Sequence, residues 1–303
     1  MKLKMKYKVK LRRIIVVLIA LLIVSLVIDI TNNKTVQLTQ LSPKGARQMM
    51  GYIIKSNASG KIIVVDGGTV DDTENLIKSI NENGGKVDYW FLTHAHDDHS
   101  GAFTQIVNNT NIEIDNIYAS LNNYEWYEQN EPARSGFTKQ LIDILQNSRI
   151  KNNVIEPKLN DVITIDKNIN AEILGVKNPE FTKNAGNEQS MVIKFKIKKT
   201  TLLILGDTGA QSSQKLLDSQ QEKLKSDIVQ MAHHGQAGAT KELYEAINPK
   251  ICLWPTPEWL WNNDAGEGYN TGNWLTIETR SWMEELGVKK DYVAKDGDIT
   301  ISI

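Results

Sequence analysis

The five histidines of this chain fall in two short motifs, and each motif follows an apolar run. Thr93-His94-Ala95-His96-Asp97-Asp98-His99-Ser100-Gly101 comes after residues 87–92, and Ala232-His233-His234-Gly235 comes after residues 227–231. Between them, Gly206-Asp207-Thr208-Gly209 closes a third apolar run. Short apolar runs ended by turn residues read as strands. A fold that uses all three motifs brings the carboxyl ends of several strands together, which is where open α/β sheets hold their ligands. Histidine confined to such places points to metal chemistry and to a metal-dependent enzyme.

The surrounding sequence agrees with a layered α/β fold. Residues 51–55 and 61–65 flank Ser56-Asn57-Ala58-Ser59-Gly60 as a hairpin, and the second strand runs into Asp66-Gly67-Gly68. A helix follows, with Asp71 and Glu74 placed as a capping box and with Leu76, Ile77 and Ile80 on one face; Asn83-Gly84-Gly85 stops it. A second hairpin joins residues 191–197 to 201–205. Residues 242–247 and 277–286 read as helices, and 251–254 and 300–303 as strands. Strand and helix alternate on both sides of the middle, which suggests two sheets. Thr31 to Leu41 is polar and reads as a short stalk running into the first strand.

At 303 residues the chain is long enough for one large domain or two small ones. Its single cysteine, Cys252, excludes an internal disulfide and any cysteine-rich zinc site; it lies in Ile251-Cys252-Leu253-Trp254 and is expected in the core. Formal charge is −1 but unevenly divided. Residues 1–13 hold seven of the 35 basic residues and no acid, and Asp29 is the one acid between 14 and 33, so residues 34–303 carry 28 basic and 35 acidic side chains, a net of −7. That argues against an extended nucleic-acid groove, which needs clustered basic surface.

The basic segment from Lys2 to Arg13 precedes an apolar stretch from Ile14 to Ile28, in which Ser25 alone is polar. This is a secretory n-region followed by an h-region. The stretch is shorter than the roughly 20 residues that span a bilayer, but flanking Lys and Arg can snorkel, and no clear small-x-small cleavage site follows. The expectation is an uncleaved signal anchor and stalk over residues 1–33, with 34–303 as one catalytic domain outside the membrane; a cleaved signal and a secreted domain is the alternative.

His94 and His96 are two apart, so at a strand end their side chains point the same way and can share one ion. Asp98 and His99 can reach a second ion beside it. Imidazole with carboxylate suits Zn²⁺, Mn²⁺ or Fe²⁺. Asp207 at a strand end could bridge two ions, and His234 would supply the last imidazole. Two ions about 3.5–4 Å apart would activate a water and clamp a phosphoryl or carbonyl oxygen. Taken singly, Gly-Asp-Thr-Gly is most simply a turn and a His pair a surface feature. Four ligand-type residues packed into His94–His99 after an apolar strand are not explained that way.

The cluster resembles the H-x-H-x-D-H signature of the metallo-β-lactamase fold superfamily, and Gly206-Asp207 and His233-His234-Gly235 resemble its later motifs. Within it, Val65-Asp66-Gly67-Gly68, residues 91–101, Asn187-Glu188-Gln189-Ser190, Leu205-Gly206-Asp207 and Ala232-His233-His234-Gly235 are similar to the hydrolase domain of ComEC-type DNA-uptake proteins and their stand-alone relatives. The resemblance spans roughly residues 50–240. It implies an αββα four-layer sandwich with two divalent ions, Zn with Mn as the alternative. It implies His94 and His96 on one ion, Asp98 and His99 on the other, Asp207 bridging and His234 as the last ligand; the reverse assignment of His233 and His234 stays open. Asp98 and His233 are the residues it places in catalysis, His233 as proton donor to the leaving oxygen. Asp66, Asn187 and Ser190 would stand behind the ligands, Asp66 orienting the His loop. One departure stands out: no histidine lies between 100 and 232. One ion is then less fully ligated by protein, which disfavours a β-lactam or thioester substrate.

Five of the seven tryptophans lie between 254 and 282. Trp254 and Trp282 are expected in the core. Trp259, Trp261 and Trp274 sit on a polar segment that reads as a loop at the rim of the site, where aromatics could stack bases or cage a quaternary ammonium. Tyr118, Tyr124, Trp126 and Tyr127 suggest a second rim loop. The sequence therefore carries three expectations. The first is an extracytoplasmic phosphodiesterase acting on nucleic acid. The others are a phosphorylcholine esterase-like hydrolase of cell-wall teichoic acid and a surface binding protein with a decayed metal site. The implied partners are the membrane, through the amino-terminal helix, and a phosphodiester substrate.

Overall fold

The computed structural model describes residues 14–22, 35–147 and 149–303. Residues 14–22 are helical (α1). The rest of the expected signal anchor lies outside the described residues, and no helix among them is long and apolar enough to cross a membrane.

Two seven-stranded sheets follow. The first is built from β1 (Val36–Gln40), β2 (Gly51–Ser56), β3 (Ile62–Asp66), β4 (Lys86–Leu92), β5 (Glu113–Ala119) and β6 (Val154–Ile155), with β14 (Ile299–Ser302) returning to its edge beside β1. Helices α2 (Thr73–Asn83), α3 (Asp97–Asn109), α4 (Tyr124–Asn130) and α5 (Ser135–Leu145) connect its strands. The second sheet holds β7 (Val162–Thr164), β8 (Ile169–Gly175), β9 (Val192–Ile197), β10 (Thr200–Ile204), β11 (Ile228–Gln230), β12 (Ile251–Trp254) and β13 (Lys290–Val293). Helices α6 (Ala210–Leu224), α7 (Lys241–Ile247), α8 (Glu258–Trp261) and α9 (Thr276–Glu285) belong to this half.

Side-chain alternation sorts the strands into layers. In β4, Trp90 and Leu92 face α2, α3 and α5, while Phe91 faces the other sheet. In β10, Leu202 and Ile204 point between the sheets, while Leu203 points at the layer formed with α6, α7 and α9. Three apolar layers thus separate four structural ones, helix–sheet–sheet–helix. Phe91 stacks on Tyr118 at 4.9 Å and meets Phe195 of the opposite sheet edge-on at 5.6 Å. Such pairs add about 0.5–1.5 kcal/mol beyond their buried area.

Both hairpins form as expected, and Cys252 and Trp254 are fully buried. Three local expectations are corrected. Residues 36–40 are no stalk: Val36, Leu38 and Gln40 alternate inward as β1, paired with both β2 and β14. The capping box is made by Thr69 and Asp72 rather than Asp71 and Glu74, because a 3₁₀ turn at Val70–Asp72 precedes the helix. The aromatic group at 118–127 is not a rim loop. Tyr118 lies between the sheets and Tyr127 is fully buried, while Tyr124 and Trp126 sit on α4, Trp126 donating to the carbonyl of Pro179.

Candidate metal centre

The site lies across the seam between the sheets, at the carboxyl ends of parallel strands. β3, β4 and β5 run parallel in the first sheet, and β10 to β13 in the second. The loop after β4 enters α3 with His96 as its N-cap, so Asp98 and His99 sit in the first turn and face inward. The turn after β10 carries Asp207, and the turn after β11 carries His234.

Local backbone geometry aims these side chains. Asp66 adopts φ 53°, His233 φ 50° and His234 φ 55°, left-handed values uncommon for residues other than glycine. Each costs of order 1–3 kcal/mol and persists where the surroundings over-determine it. Here they do. Asp66 accepts from the Thr93 amide at 2.7 Å and the Thr93 hydroxyl at 2.6 Å, and meets His99 Nδ1 at 2.7 Å. The histidine turn is held by Ala232 N donating to the Tyr244 hydroxyl, His233 N to the Gly206 carbonyl and Thr256 Oγ1 to the His234 carbonyl. Gly206 also has a positive φ, 58°. Gln230 Oε1 accepts from the amides of Leu205 and Gly206 at 2.8 Å, and Ser190 Oγ from that of Asp207 at 2.9 Å.

The ligand-type atoms form two buried triads, His94 with His96 and Asp207, and Asp98 with His99 and His234, each with all atoms within 4.8 Å of one another. Asp207 lies between them: Oδ1 is 3.1 Å from His99 Nε2, and Oδ2 is 3.7 Å from both His94 Nε2 and His234 Nε2. His234 Nε2 is 3.4 Å from Asp98 Oδ2. The second nitrogen of each ring is taken up elsewhere, that of His94 by the Thr93 hydroxyl at 3.1 Å. His99 Nδ1 is on Asp66, His234 Nδ1 on the Pro255 carbonyl at 3.0 Å, and His96 Nε2 on Glu131 at 2.8 Å. Outer partners of this kind fix the tautomer and ring orientation of metal-binding histidines. His233 is half-buried and stands outside both triads, with Nε2 3.3 Å from Asn187 Nδ2 and Nδ1 3.2 Å from the Ala237 carbonyl.

The residues fit a pair of cations. Among the described residues seven buried side-chain polar atoms lack a hydrogen-bond partner, and five border this site: His94 Nε2, Asp98 Oδ1, Glu131 Oε2, Asn187 Oδ1 and Asp207 Oδ1. An unpaired buried polar atom costs about 1–3 kcal/mol, so five in one place mark where a bound group completes the set. The electrostatics agree. Burial, with His99 and His96 beside it, pushes His94 well below the usual imidazole range. Burial would lower His99 too, but Asp207 and Asp66 outweigh it and hold that ring well above the usual range. Burial would raise the carboxyls of Asp98 and Asp207; the hydrogen bond from His234 to Asp98, and the nearby His99 and His234, keep both well below. Burial lowers His233, against the pull of Asp207. Ionised carboxylates around a neutral His94 are the state that metal ligation requires, and His99 would give up its proton when an ion takes the place of that charge beside Asp207.

Sequence reasoning missed five residues beside the centre: Glu131, Gln48, Gln230, Arg47 and Arg134. Gln48 Nε2 donates to Asp98 Oδ2 at 3.0 Å, and its Oε1 accepts from Gln236 at 3.1 Å. The expected tryptophan rim is only partly assembled. Trp259 and Trp274 meet edge-on at 4.9 Å, and Trp259 donates to the Ala46 carbonyl at 3.1 Å. Trp261 is corrected: it packs edge-on against buried Trp254 at 5.3 Å, and Arg280 lies 4.0 Å over its ring, so it belongs to the layer beneath the second sheet.

A family model described as the Metallo-beta-lactamase superfamily matches residues 48–252. No curated protein matches. Among solved structures, the metallo-beta-lactamase fold protein YhfI from Bacillus subtilis superposes with a TM-score of 0.52 at 13% identity, covering 89% of this chain and 100% of that one. Igni18, a metallo hydrolase from the archaeon Ignicoccus hospitalis, gives 0.52 at 14% identity, covering 89% and 99%. CmlA beta-hydroxylase gives 0.51 at 10% identity, covering 88% of this chain and 54% of that one. A hydroxylase among these neighbours shows that the likeness carries the fold and leaves the reaction to the site.

Proposed function

This chain belongs to the metallo-β-lactamase superfamily, and on that footing we propose that it is a dinuclear metal-dependent phosphodiesterase of the ComEC-like group. The observation that carries the reading is the pair of buried triads on either side of Asp207. Bound divalent ions supply Lewis acidity and a nucleophilic water at neutral pH. His94, His96 and Asp207 would hold one ion, and Asp98, His99 and His234 the other, with Asp207 between the two triads. His233 stands beside the triads with a lowered pKa and a nitrogen directed at Asn187. The ring rests neutral there, with Nε2 accepting from Asn187 Nδ2 and Nδ1 donating to the Ala237 carbonyl, so it would have to take up a proton at Nε2 before it could pass one to the leaving oxygen. Asn187, with its unpartnered Oδ1, occupies the region where relatives carry a further histidine, and Ser190 fixes the amide of Asp207.

Zn²⁺ is the preferred ion on the chemistry of the donor set, with Mn²⁺ the alternative. The basic and apolar amino-terminal segment supports a membrane-anchored protein with its catalytic domain outside the cell. The quaternary-ammonium reading loses support, since the face of Trp261 is covered by the chain's own Arg280.

The test is parallel assay of bis-p-nitrophenyl phosphate, p-nitrophenyl phosphorylcholine and single-stranded DNA with the Zn- or Mn-loaded protein. We expect cleavage of the first and third, reduced to the buffer rate by His96→Ala and by Asp207→Ala. Turnover of the phosphorylcholine ester alone, or activity that survives both substitutions, would overturn the reading.

A further inference from the structure

Beside Asp98 the mouth of the site carries two guanidinium groups from distant parts of the chain. Arg47 comes from the loop between β1 and β2, and Arg134 from the turn between α4 and α5. Both grip Asp97. Arg47 does so through Nη1 to Oδ2 at 2.5 Å and Nη2 to Oδ1 at 3.2 Å, and Arg134 through Nη1 to Oδ1 at 3.2 Å. Arg134 Nη1 also lies 3.9 Å from Asp98 Oδ1, one of the unpartnered atoms of the centre. The two side chains remain 52% and 42% exposed.

Stability gives little reason for this arrangement. Arg47 alone meets both oxygens of Asp97 in a bidentate pair, so the second pair, from the 42% exposed Arg134, adds only about 0–1 kcal/mol. Two cations on one carboxylate leave one guanidinium charge facing Asp98, a carboxylate that a bound ion would neutralise. The loop bearing Arg47 is also braced. Trp259 holds the Ala46 carbonyl from one side, Trp274 backs Trp259, and Gln48 ties the loop to Asp98 and Gln236. Each guanidinium has five N–H donors, so those not spent on Asp97 are held in place for phosphate oxygens.

We infer that Arg47 and Arg134 form a subsite for a second phosphate of the substrate chain, next to the phosphodiester held at the ion pair. The natural substrate is then an oligomeric phosphodiester rather than an isolated diester. This rests on the phosphodiesterase reading for its catalytic consequence, but binding tests it separately.

The probe is a fluorescently labelled oligothymidylate of four nucleotides, titrated by anisotropy against the metal-free full chain over a range of salt. Arg47→Gln/Arg134→Gln is expected to weaken binding at least tenfold and to flatten the slope of log K against log salt by about 0.7, the contribution of one single-strand phosphate. Arg47→Lys/Arg134→Lys, which keeps charge but loses the fork, is expected to keep the slope and lose affinity several-fold. Lys78→Gln on α2, exposed and paired with Glu82, is the control for net charge. In the metal-loaded protein, the ratio of kcat/KM for the oligonucleotide to that for bis-p-nitrophenyl phosphate should fall at least tenfold in the double Gln variant. An unchanged slope and an unchanged ratio in variants that melt like the parent would overturn the subsite. Arginine-dependent binding with no cleavage of any diester would instead leave the subsite standing and sink the phosphodiesterase reading.

Discussion

His96 has two ring nitrogens, and Glu131 settles which of them faces the centre: its carboxylate takes Nε2, leaving Nδ1 for an ion. Replacing such an outer partner typically costs 10–100-fold in metal affinity. Glu131→Gln should therefore weaken binding of the first equivalent of Zn²⁺ or of the second by about that factor, read by competition with a coloured chelator, and Glu131→Asp should recover part of it. Equal affinities in parent and Gln variant would show that Glu131 only fills space. The ligand types themselves were legible because four of them crowd into six residues after a strand. Glu131 was not, being one of 36 acidic residues with no local pattern to mark it. Gln230 and Gln48 were hidden for the same reason; each acts on a partner 24 to 50 residues away. Nor does sequence show that His233 and His234 are both left-handed, the conformation that directs one ring to the triads and the other to Asn187.

Helix α3 is the element that ties the ligand cluster to the rest of the first sheet. Its second turn passes so close to the 3₁₀ turn before α2 that a Cβ on Gly101 would lie 2.8 Å from Val70 N and 2.9 Å from Thr69 C. Those are backbone atoms, which cannot swing aside. Gly101→Ala should destabilise the protein by about 1–3 kcal/mol, measured by urea unfolding, and should lower metal affinity as Asp98 and His99 shift with the helix. A variant with parental stability would mean that the 3₁₀ turn yields freely. The elements read correctly from sequence were those with strong period or punctuation, such as β2 and β3 around Ser56–Gly60, or β11 and β12. Helix α6 went unread. It buries Leu216 and Leu224 among Ser212, Ser213 and Gln220, too thin an apolar stripe to show a helical period. The first strand resembles a stalk in sequence because its polar residues outnumber its apolar ones, and its inward face emerges only from pairing with β2 and β14.

At the scale of the whole molecule, the centre is shared between halves. His94, His96, Asp98 and His99 come from the first sheet's connections, and Asp207 and His234 from the second's. A cation bound there links the two and favours the folded state by mass action. At a hundred times its dissociation constant an ion contributes about 2.7 kcal/mol, which for a protein of this size corresponds to a rise in Tm of roughly 4–5 °C. Scanning calorimetry after dialysis against chelator, then with Zn²⁺ restored, should show that difference. Identical melting with and without the ion would mean that the centre does not bind it. The strand β14 adds a consequence for synthesis. It closes the outer edge of the first sheet by pairing with β1 across more than 250 positions of sequence, so a nascent chain exposes a half-finished sheet until residues 299–302 emerge. Hydrolytic competence should then arrive late, which would keep a reactive centre dormant while the polypeptide is still being made.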